Sequence, residues 1–271
     1  MQVFIILGSP RSGTTLLATT LSLHSGIHVI DQTDFITPMA FIIDRIKQPV
    51  VGKKMIANFI VESNYFSHSI GKWLSADDIE STIEKSAYCM QDMVTNLYQL
   101  MAKKIGKQEC GDKSVSDIGF HPILNRVGLF DSDIKIIHIV RDVRAVFNSL
   151  EKLDWINERH VFPRSWSNAN LGLHQLLKDK PNYHFLKYED LIVAAETTLD
   201  SVCSFLGFEY EGNLLSHDSR GREYLGESHH SNLQKPFMAQ NVSKWKNDLS
   251  KHNKALCDLQ ARESLEYFDY L

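Results

Sequence analysis

The sequence lacks the features that identify several large protein classes. Its 271 residues include four cysteines but no Cys-x-x-Cys pair, which argues against zinc-ribbon and thioredoxin-like sites. The cysteines are Cys89, Cys110, Cys203 and Cys257. No run of five or more lysines and arginines occurs, and the net charge is −4, so no nucleic-acid partner is expected.

Long apolar runs are missing as well. The longest one near the start, Val3–Leu7, is far shorter than the ~20 residues that a membrane-spanning helix needs. It has no basic segment before it and no small-residue cleavage site after it. The composition, 43% apolar and 23% charged, is that of an ordinary globular chain. We therefore expect one domain over residues 1–271, a cytoplasmic location, reduced thiols and no membrane span.

Short apolar runs alternate with helical patterns along the chain. Buried strands are predicted at residues 3–7, 108–110, 134–140 and 183–186. Helices are predicted at residues 15–24, 79–101 (after a capping box at Ser75 and Asp78), 144–153, 165–177, 197–206 and 251–267. This alternation predicts an α/β fold with a central, mainly parallel sheet. Residues 49–75 and 208–235 show the least pattern and are predicted to be loops or lids.

The first strand runs directly into a glycine loop, residues 8–15, and a helix follows. Unpaired N–H groups at a helix N-terminus lie at the positive end of the helix dipole and bind anions. Gly13 lets the backbone approach phosphate oxygens, and Thr14 and Thr15 add hydroxyl donors. A nucleoside-triphosphatase loop needs lysine where Thr14 stands, and here Arg11 carries the charge instead. The loop therefore indicates an anion site that does not hydrolyse ATP, and the alternative is a plain strand-to-helix turn.

A second candidate anion site follows the strand at residues 134–140. Ligands of open α/β sheets bind beyond the carboxyl ends of strands, which is where Arg141 falls. A guanidinium can hold a phosphate through two parallel hydrogen bonds, and Ser149 on the next helix adds a hydroxyl. The alternative is a structural salt bridge from Arg141 or Arg144 to Asp142. Two such sites on separate strands favour a ligand with two anionic groups.

Residues 10–17 (Pro-Arg-Ser-Gly-Thr-Thr-Leu-Leu) resemble the 5′-phosphosulfate loop of sulfotransferases that use 3′-phosphoadenosine 5′-phosphosulfate (PAPS). The branch with this motif includes tyrosylprotein sulfotransferases and many bacterial enzymes. Residues 141–149 resemble the 3′-phosphate motif of the same family. The resemblance implies a P-loop-like three-layer sandwich, PAPS as co-substrate, adenosine 3′,5′-bisphosphate (PAP) as product, and no metal. It assigns the donor's 5′ end to Arg11, Ser12, Gly13, Thr14, Thr15 and Leu16, and the 3′-phosphate to Arg141 and Ser149.

Three further segments resemble parts of that family. Residues 111–114 resemble its Asp-Lys turn, in which Lys113 would face the transferring group. Residues 187–191 resemble its Tyr-Glu-Asp-Leu signature, with Tyr188 on the adenosine side. Residues 235–249 resemble the late loop that closes over the nucleotide, and Ser243 and Lys244 are its candidate ligands. The alternatives are that Lys113 is a surface lysine of a turn, that Tyr188 is a core residue and that Lys244 is a solvated charge at a helix end.

The position of the catalytic base departs from the family pattern. Gln32 stands where this branch has a glutamate, and an amide cannot accept the acceptor's proton. Asp31 and Asp34 flank it as candidate bases. Asp34 is favoured because, in an extended chain, it shares the face of Gln32. Either aspartate could instead be a turn or cap residue.

The expected function is sulfuryl transfer to a hydroxyl of a carbohydrate, a lipid or a small molecule. Trp155, Phe162 and Trp166 are candidate aromatic residues for the acceptor pocket, with core packing as the alternative. Two rival functions differ in what they predict. A P-loop kinase or NTPase would bind Mg²⁺-ATP, and Thr14 argues against it. A non-catalytic nucleotide-binding protein would bind PAP without turnover, and Gln32 favours it. Neither His24 with His28 nor the His229-His230 pair has the pattern of a metal site.

Overall fold

The computed structural model describes residues 3–115, 117–156, 158–221 and 233–271. Its centre is one parallel sheet of five strands in the order β2-β3-β1-β4-β5. The strands are β1 (Val3–Leu7), β2 (Ile27–Asp31), β3 (Glu109–Ser114), β4 (Lys135–Val140) and β5 (Tyr183–Lys187). The predicted α/β fold with a parallel sheet is confirmed.

Helices cover both faces of the sheet. They are α1 (Thr14–Leu21), α2 (Ile36–Arg45), α3 (Pro49–Glu62), α4 (Ala76–Lys85), α5 (Met90–Ile105), α6 (His121–Arg126), α7 (Val143–Lys152), α8 (Phe162–Leu177), α9 (Tyr188–Val193), α10 (Ala195–Leu206), α11 (Gln240–Ser243), α12 (Trp245–Asp248), α13 (Lys251–Gln260) and α14 (Arg262–Tyr267). Short 3₁₀ helices lie at Phe66–His68, Ile70–Lys72, Asp117–Phe120, Leu129–Asp131, Gly212–Leu215 and His217–Ser219. None of the helices in the described ranges is long and apolar enough to cross a membrane.

The alternation of β1 explains the three layers. Val3, Ile5 and Leu7 pack into a core cluster with α2, α3 and α5, whereas Phe4 and Ile6 pack into a second cluster with α1 and α10. All five side chains are buried, because successive residues of a strand point to opposite faces and both faces are covered. The three-layer arrangement is therefore as predicted.

Several predicted boundaries are wrong. Residues 49–75 are not a loop, because they contain helix α3, which begins at Pro49. Proline is favoured in the first turn of a helix, where a backbone N–H has no partner within the helix. The helix predicted from residue 79 to 101 is two helices separated at residues 86–89, and the one predicted at 251–267 breaks at Ala261. The Ser75 capping box is present as predicted.

The sheet also differs from the prediction. β2 was not among the predicted strands, and β3 extends through Ser114, so Lys113 lies in a strand and not in a turn. Polar residues fill the carboxyl half of β3 because this strand lies between β1 and β2 and directs them toward the end of the sheet where ligands bind. Part of the predicted 208–235 loop and the His229-His230 pair lie outside the described residues.

Candidate functional site

A cavity of about 290 Å³ opens beyond the carboxyl ends of β1, β4 and β5. Most of the predicted donor-binding residues meet in its wall, namely Arg11, Gly13, Thr14, Thr15, Leu16, Arg141, Ser149, Tyr188 and Lys244. Ser12 lies buried behind the wall, and the exposed Ser243 at the end of α11 does not line the cavity. Residues from two distant motifs thus form one site.

The glycine loop has the backbone of an anion cradle. Arg11 and Gly13 both adopt left-handed backbone angles, with φ of 65° and 92°. Left-handed residues in a turn bring successive N–H groups toward one point. Among the described residues, no side chain caps α1, so the N–H groups of its first turn remain available to a ligand. A Cβ at Gly13 would come within 2.5 Å of the Tyr188 ring, so the loop also packs closely on its neighbour.

Two arginines, Arg11 and Arg141, lie next to each other in the wall of the cavity. Arg11 Nε donates to Ser149 Oγ at 3.1 Å, which connects the two predicted motifs directly. Arg141 donates from Nη1 to the Arg11 carbonyl at 2.8 Å and from Nη2 to the Asn241 carbonyl at 3.3 Å. Its guanidinium carbon lies 4.2 Å from the centroid of the Tyr188 ring. Burial and the nearby charge of Arg141 lower the pKa of Arg11 below its ordinary value.

Arg144 has a structural role that Arg141 does not share. Its guanidinium is paired with Asp142 at 2.9 Å and Asp258 at 3.1 Å, and it stacks 4.2 Å from the Trp245 ring. Asp142 also caps α7 through the Arg144 N–H. The predicted structural alternative thus applies to Arg144, while Arg141 donates to carbonyl groups.

The cavity suits an anionic ligand. Its wall contains five cationic side chains and, among the described residues, no carboxylate; the cations are Arg11, Arg141, Lys152, Lys235 and Lys244. Two buried polar atoms beside the cradle, Ser12 Oγ and Arg141 Nε, have no hydrogen-bond partner among the described residues. Buried polar atoms are normally paired, so both are suited to donate a hydrogen bond to an anionic ligand. No three His, Cys, Asp or Glu side chains of the described ranges are grouped to hold a metal ion.

The candidate catalytic side chains lie beside the cavity. Lys113 is buried in β3, and its Nζ donates to Thr15 Oγ1 at 3.3 Å and forms an ion pair with Asp31. Asp31 ends β2 directly opposite Lys113 in the sheet register. The lysine therefore links this carboxylate to the first turn of α1.

The predicted extended chain from Gln32 to Asp34 is wrong. Gln32 and Asp34 have positive φ angles of 29° and 52°, so the chain is not extended there. The two side chains still meet, because Gln32 Nε2 donates to Asp34 Oδ2 at 3.0 Å. Below them Asp112 accepts from Thr33, and burial raises the pKa of Asp112 to about 7.

Several residues that line the cavity are missing from the predicted set. Ala145, Asn148 and Lys152 line the cavity together with Ser149, at the i, i+3, i+4 and i+7 positions of α7. Helical periodicity places these three residues on the same face of α7 as Ser149. Of the three predicted acceptor-pocket aromatics, Trp166 is buried in the core and Phe162 packs against it. Trp155 is 50% exposed, with its ring 5.8 Å from the Arg11 guanidinium.

Comparisons with known proteins identify a family and a fold. A family model described as the sulfotransferase family matches residues 3–212. No curated protein sequence matches the chain. Three solved structures share the fold, at 22%, 21% and 14% sequence identity and with TM-scores of 0.62, 0.59 and 0.53. In that order they are the sulfotransferase domain of the Synechococcus PCC 7002 olefin synthase, the sulfotransferase domain of the curacin biosynthetic pathway, and mouse sulfotransferase SULT7A1 complexed with PAP. The matches cover 96%, 96% and 99% of this chain and 94%, 97% and 85% of the other.

Proposed function

The chain belongs to the sulfotransferase family, and on this basis we propose that it transfers a sulfuryl group from PAPS to a hydroxyl acceptor and releases PAP. The cavity wall carries the proposal. Five cations and no carboxylate, among the described residues, surround a backbone anion cradle and the end of the strand before Arg141. A donor with anionic groups at both its 5′ and 3′ ends uses both features.

Each part of the donor is assigned to the cavity residues whose chemistry suits it. The amides of the glycine loop and Arg11 bind the 5′-phosphosulfate, because oriented N–H groups and a guanidinium both favour phosphate oxygens. The unpaired Arg141 Nε and the Ser149 hydroxyl bind the 3′-phosphate. Tyr188 and Phe237 offer rings to the adenosine. The mouse relative with the same fold was crystallised with PAP, which supports this assignment.

The transfer step needs a base and charge stabilisation. The acceptor oxygen bonds to sulfur as the bond from sulfur to the 5′-phosphate oxygen breaks, and the acceptor's proton passes to a carboxylate. The 5′-phosphate leaves with the negative charge, which Arg11, the loop amides and Lys113 stabilise. We assign the base to Asp31, because Lys113 holds that carboxylate beside Thr15 in the first turn of α1. Asp34, whose carboxylate accepts from Gln32, is the alternative base.

An assay of donor turnover tests the proposal. The protein is incubated with PAPS and, separately, with carbohydrate, lipid and small-alcohol acceptors, and both PAP and the sulfated product are measured by mass spectrometry. We expect Asp31→Asn to lower kcat by about 100-fold or more with little change in the KM for PAPS, since loss of a general base typically costs that much. Asp131→Asn, a 66% exposed carboxylate paired with Lys180, is the matched control.

The outcomes separate the alternatives. Loss of turnover in Asp34→Asn but not in Asp31→Asn would move the base to Asp34. Binding of PAP without turnover on any acceptor would favour a non-catalytic nucleotide-binding protein.

A further inference from the structure

Arg220 is a buried cation with an unusual set of partners. Its side chain is fully buried, and among the described residues no carboxylate pairs with it. Nε donates to the Leu233 carbonyl at 2.8 Å, Nη2 to the Lys235 carbonyl at 2.6 Å, and Nη1 to Thr20 Oγ1 at 3.4 Å. Burying a charge is costly, and these three hydrogen bonds offset part of that cost, so the contacts of Arg220 call for a role.

These contacts join two walls of the donor cavity. Thr20 belongs to α1, the helix whose N-terminus forms the anion cradle. Leu233 and Lys235 belong to residues 233–238, called the wall segment below, most of which also line the cavity. Phe237 of this segment also stacks on Arg220, with its ring centroid 4.4 Å from the guanidinium carbon. One side chain thus fixes the distance between the cradle and the wall segment.

The chemistry of arginine matches what the wall segment needs. Residues 233–238 form no helix or strand, so their carbonyl groups lack the partners that regular structure provides. A planar guanidinium reaches three acceptors in fixed directions, whereas a lysine offers one flexible point charge. Burial lowers the pKa of Arg220 to about 10, so the group stays charged at neutral pH.

We propose that Arg220 is a positioning residue that holds the wall segment against α1 and so determines how long the donor nucleotide stays bound. The proposal rests on the assignment of this cavity to PAPS and PAP. Arg220 does not line the cavity, so it acts through the wall segment and not by touching the reacting groups.

Kinetics of donor binding test the proposal. Arg220→Lys keeps the positive charge but loses the planar guanidinium with its several N–H donors. Arg220→Ala leaves a space that free guanidinium can fill. We expect both variants to release PAP about tenfold faster or more, because loss of hydrogen bonds to a charged group has that effect. The KM for PAPS should rise in step, while kcat and the KM for the acceptor stay within about twofold. Guanidinium added at millimolar concentration should slow PAP release in Arg220→Ala but not in Arg220→Lys.

A matched control and a second readout keep the proposal falsifiable. Arg262→Ala removes an arginine that is 71% exposed and that pairs, among the described residues, with Glu266 of its own helix; its PAP release should equal that of the wild type. Hydrogen exchange at residues 233–242 should speed up in Arg220→Lys without any nucleotide present. Wild-type exchange in this segment, or an unchanged PAP release rate in a folded variant, would overturn the positioning role. If the wild-type protein binds no PAP, the PAPS assignment fails, and the exchange experiment still decides whether Arg220 holds the segment.

Discussion

Gly13 shows how much of the site depends on a single residue. Its backbone is left-handed, with φ of 92°, and a Cβ there would meet the Tyr188 ring at 2.5 Å. Tyr188 in turn stacks on Arg141, so its ring lies between the glycine loop and the Arg141 guanidinium and contacts both. Gly13 could be singled out from the sequence, because a glycine at this point of a strand-loop-helix motif is needed for close approach.

Gly13→Ala should therefore cost more than a left-handed backbone alone costs. Gly207 has the same φ of 92° at the end of α10, but a Cβ there would meet nothing within 4 Å. We expect Gly207→Ala to lower the free energy of unfolding by roughly 1–2 kcal/mol and to leave PAP binding unchanged. Gly13→Ala should lower it further and weaken PAP binding by at least about tenfold, because the loop must shift away from Tyr188. Denaturant unfolding and PAP titration measure the two effects, and equal behaviour of the two variants would contradict the close packing.

Arg220 shows where residue-level prediction failed. It is a single arginine in a stretch without pattern, and its partners lie 13 to 200 positions away along the chain. Arg11 and Arg141 could be found because each occupies a defined place at the end of a strand. A residue whose role depends only on long-range contacts leaves no such local signal.

At the scale of elements, a buried hydrogen-bond chain connects β4, β5 and α8 to the glycine loop. Asn170 Nδ2 donates to the Trp166 carbonyl at 2.8 Å and to Ser9 Oγ at 2.9 Å, so its oxygen accepts from His138 Nε2 at 3.2 Å. The other nitrogen of His138 then accepts from the Tyr183 hydroxyl at 2.8 Å. His138 is thus held in one neutral tautomer, and burial lowers its pKa to about 3.

This chain predicts a specific pH dependence of stability. Unfolded His138 takes up a proton near its ordinary pKa of 6.5, whereas the folded form resists until about 3, so the free energy of unfolding falls as the pH falls through this window. Asp112 acts oppositely, because its raised pKa of about 7 keeps it protonated in the fold while the unfolded form ionises above 3.8. Its contribution is lost as the pH rises through this second window.

Two variants separate these effects. On acidification, the free energy of unfolding should fall less steeply in His138→Gln than in the wild type. The two slopes should differ by at most about 1.4 kcal/mol per pH unit, the limit for one titrating group. Asp112→Asn should instead gain relative to the wild type as the pH rises from about 4 to about 7. Urea unfolding across this range provides the measurement. Curves that stay parallel to the wild type in both variants would show that neither group titrates differently in the fold.

Elements were predictable where local pattern and packing agree. β1 and β4 are nearly all apolar and are buried on both faces, so their strands were evident. β3 was cut short because Asp112, Lys113 and Ser114 look like a turn in sequence. They are strand residues because β1 pairs with all three and β2 pairs with Asp112 and Lys113, and each side chain has a polar partner nearby. Only the assembled sheet supplies those partners.

At the scale of the whole molecule, the charge of the cavity is opposite in sign to the net charge of the chain. The chain carries a net charge of −4, yet the cavity at the strand ends is lined by cations and, within the described residues, by no carboxylate. Net charge therefore says nothing about a single site, whereas the two strand-end motifs do. Their convergence could be predicted because the carboxyl ends of parallel strands meet at one edge. The acceptor could not be predicted, because loops commonly form acceptor pockets and the loops of this chain have no sequence pattern.

Titration of the purified protein with PAP by calorimetry, in EDTA and beside Mg²⁺-ATP, tests the donor assignment most directly. We predict PAP binding that EDTA does not affect and that Arg141→Ala weakens by about 100-fold or more, because the charge-assisted hydrogen bond from Arg141 Nε to the 3′-phosphate is lost. Mg²⁺-dependent binding of ATP without binding of PAP would contradict the sulfotransferase assignment of this cavity and favour a P-loop kinase or NTPase.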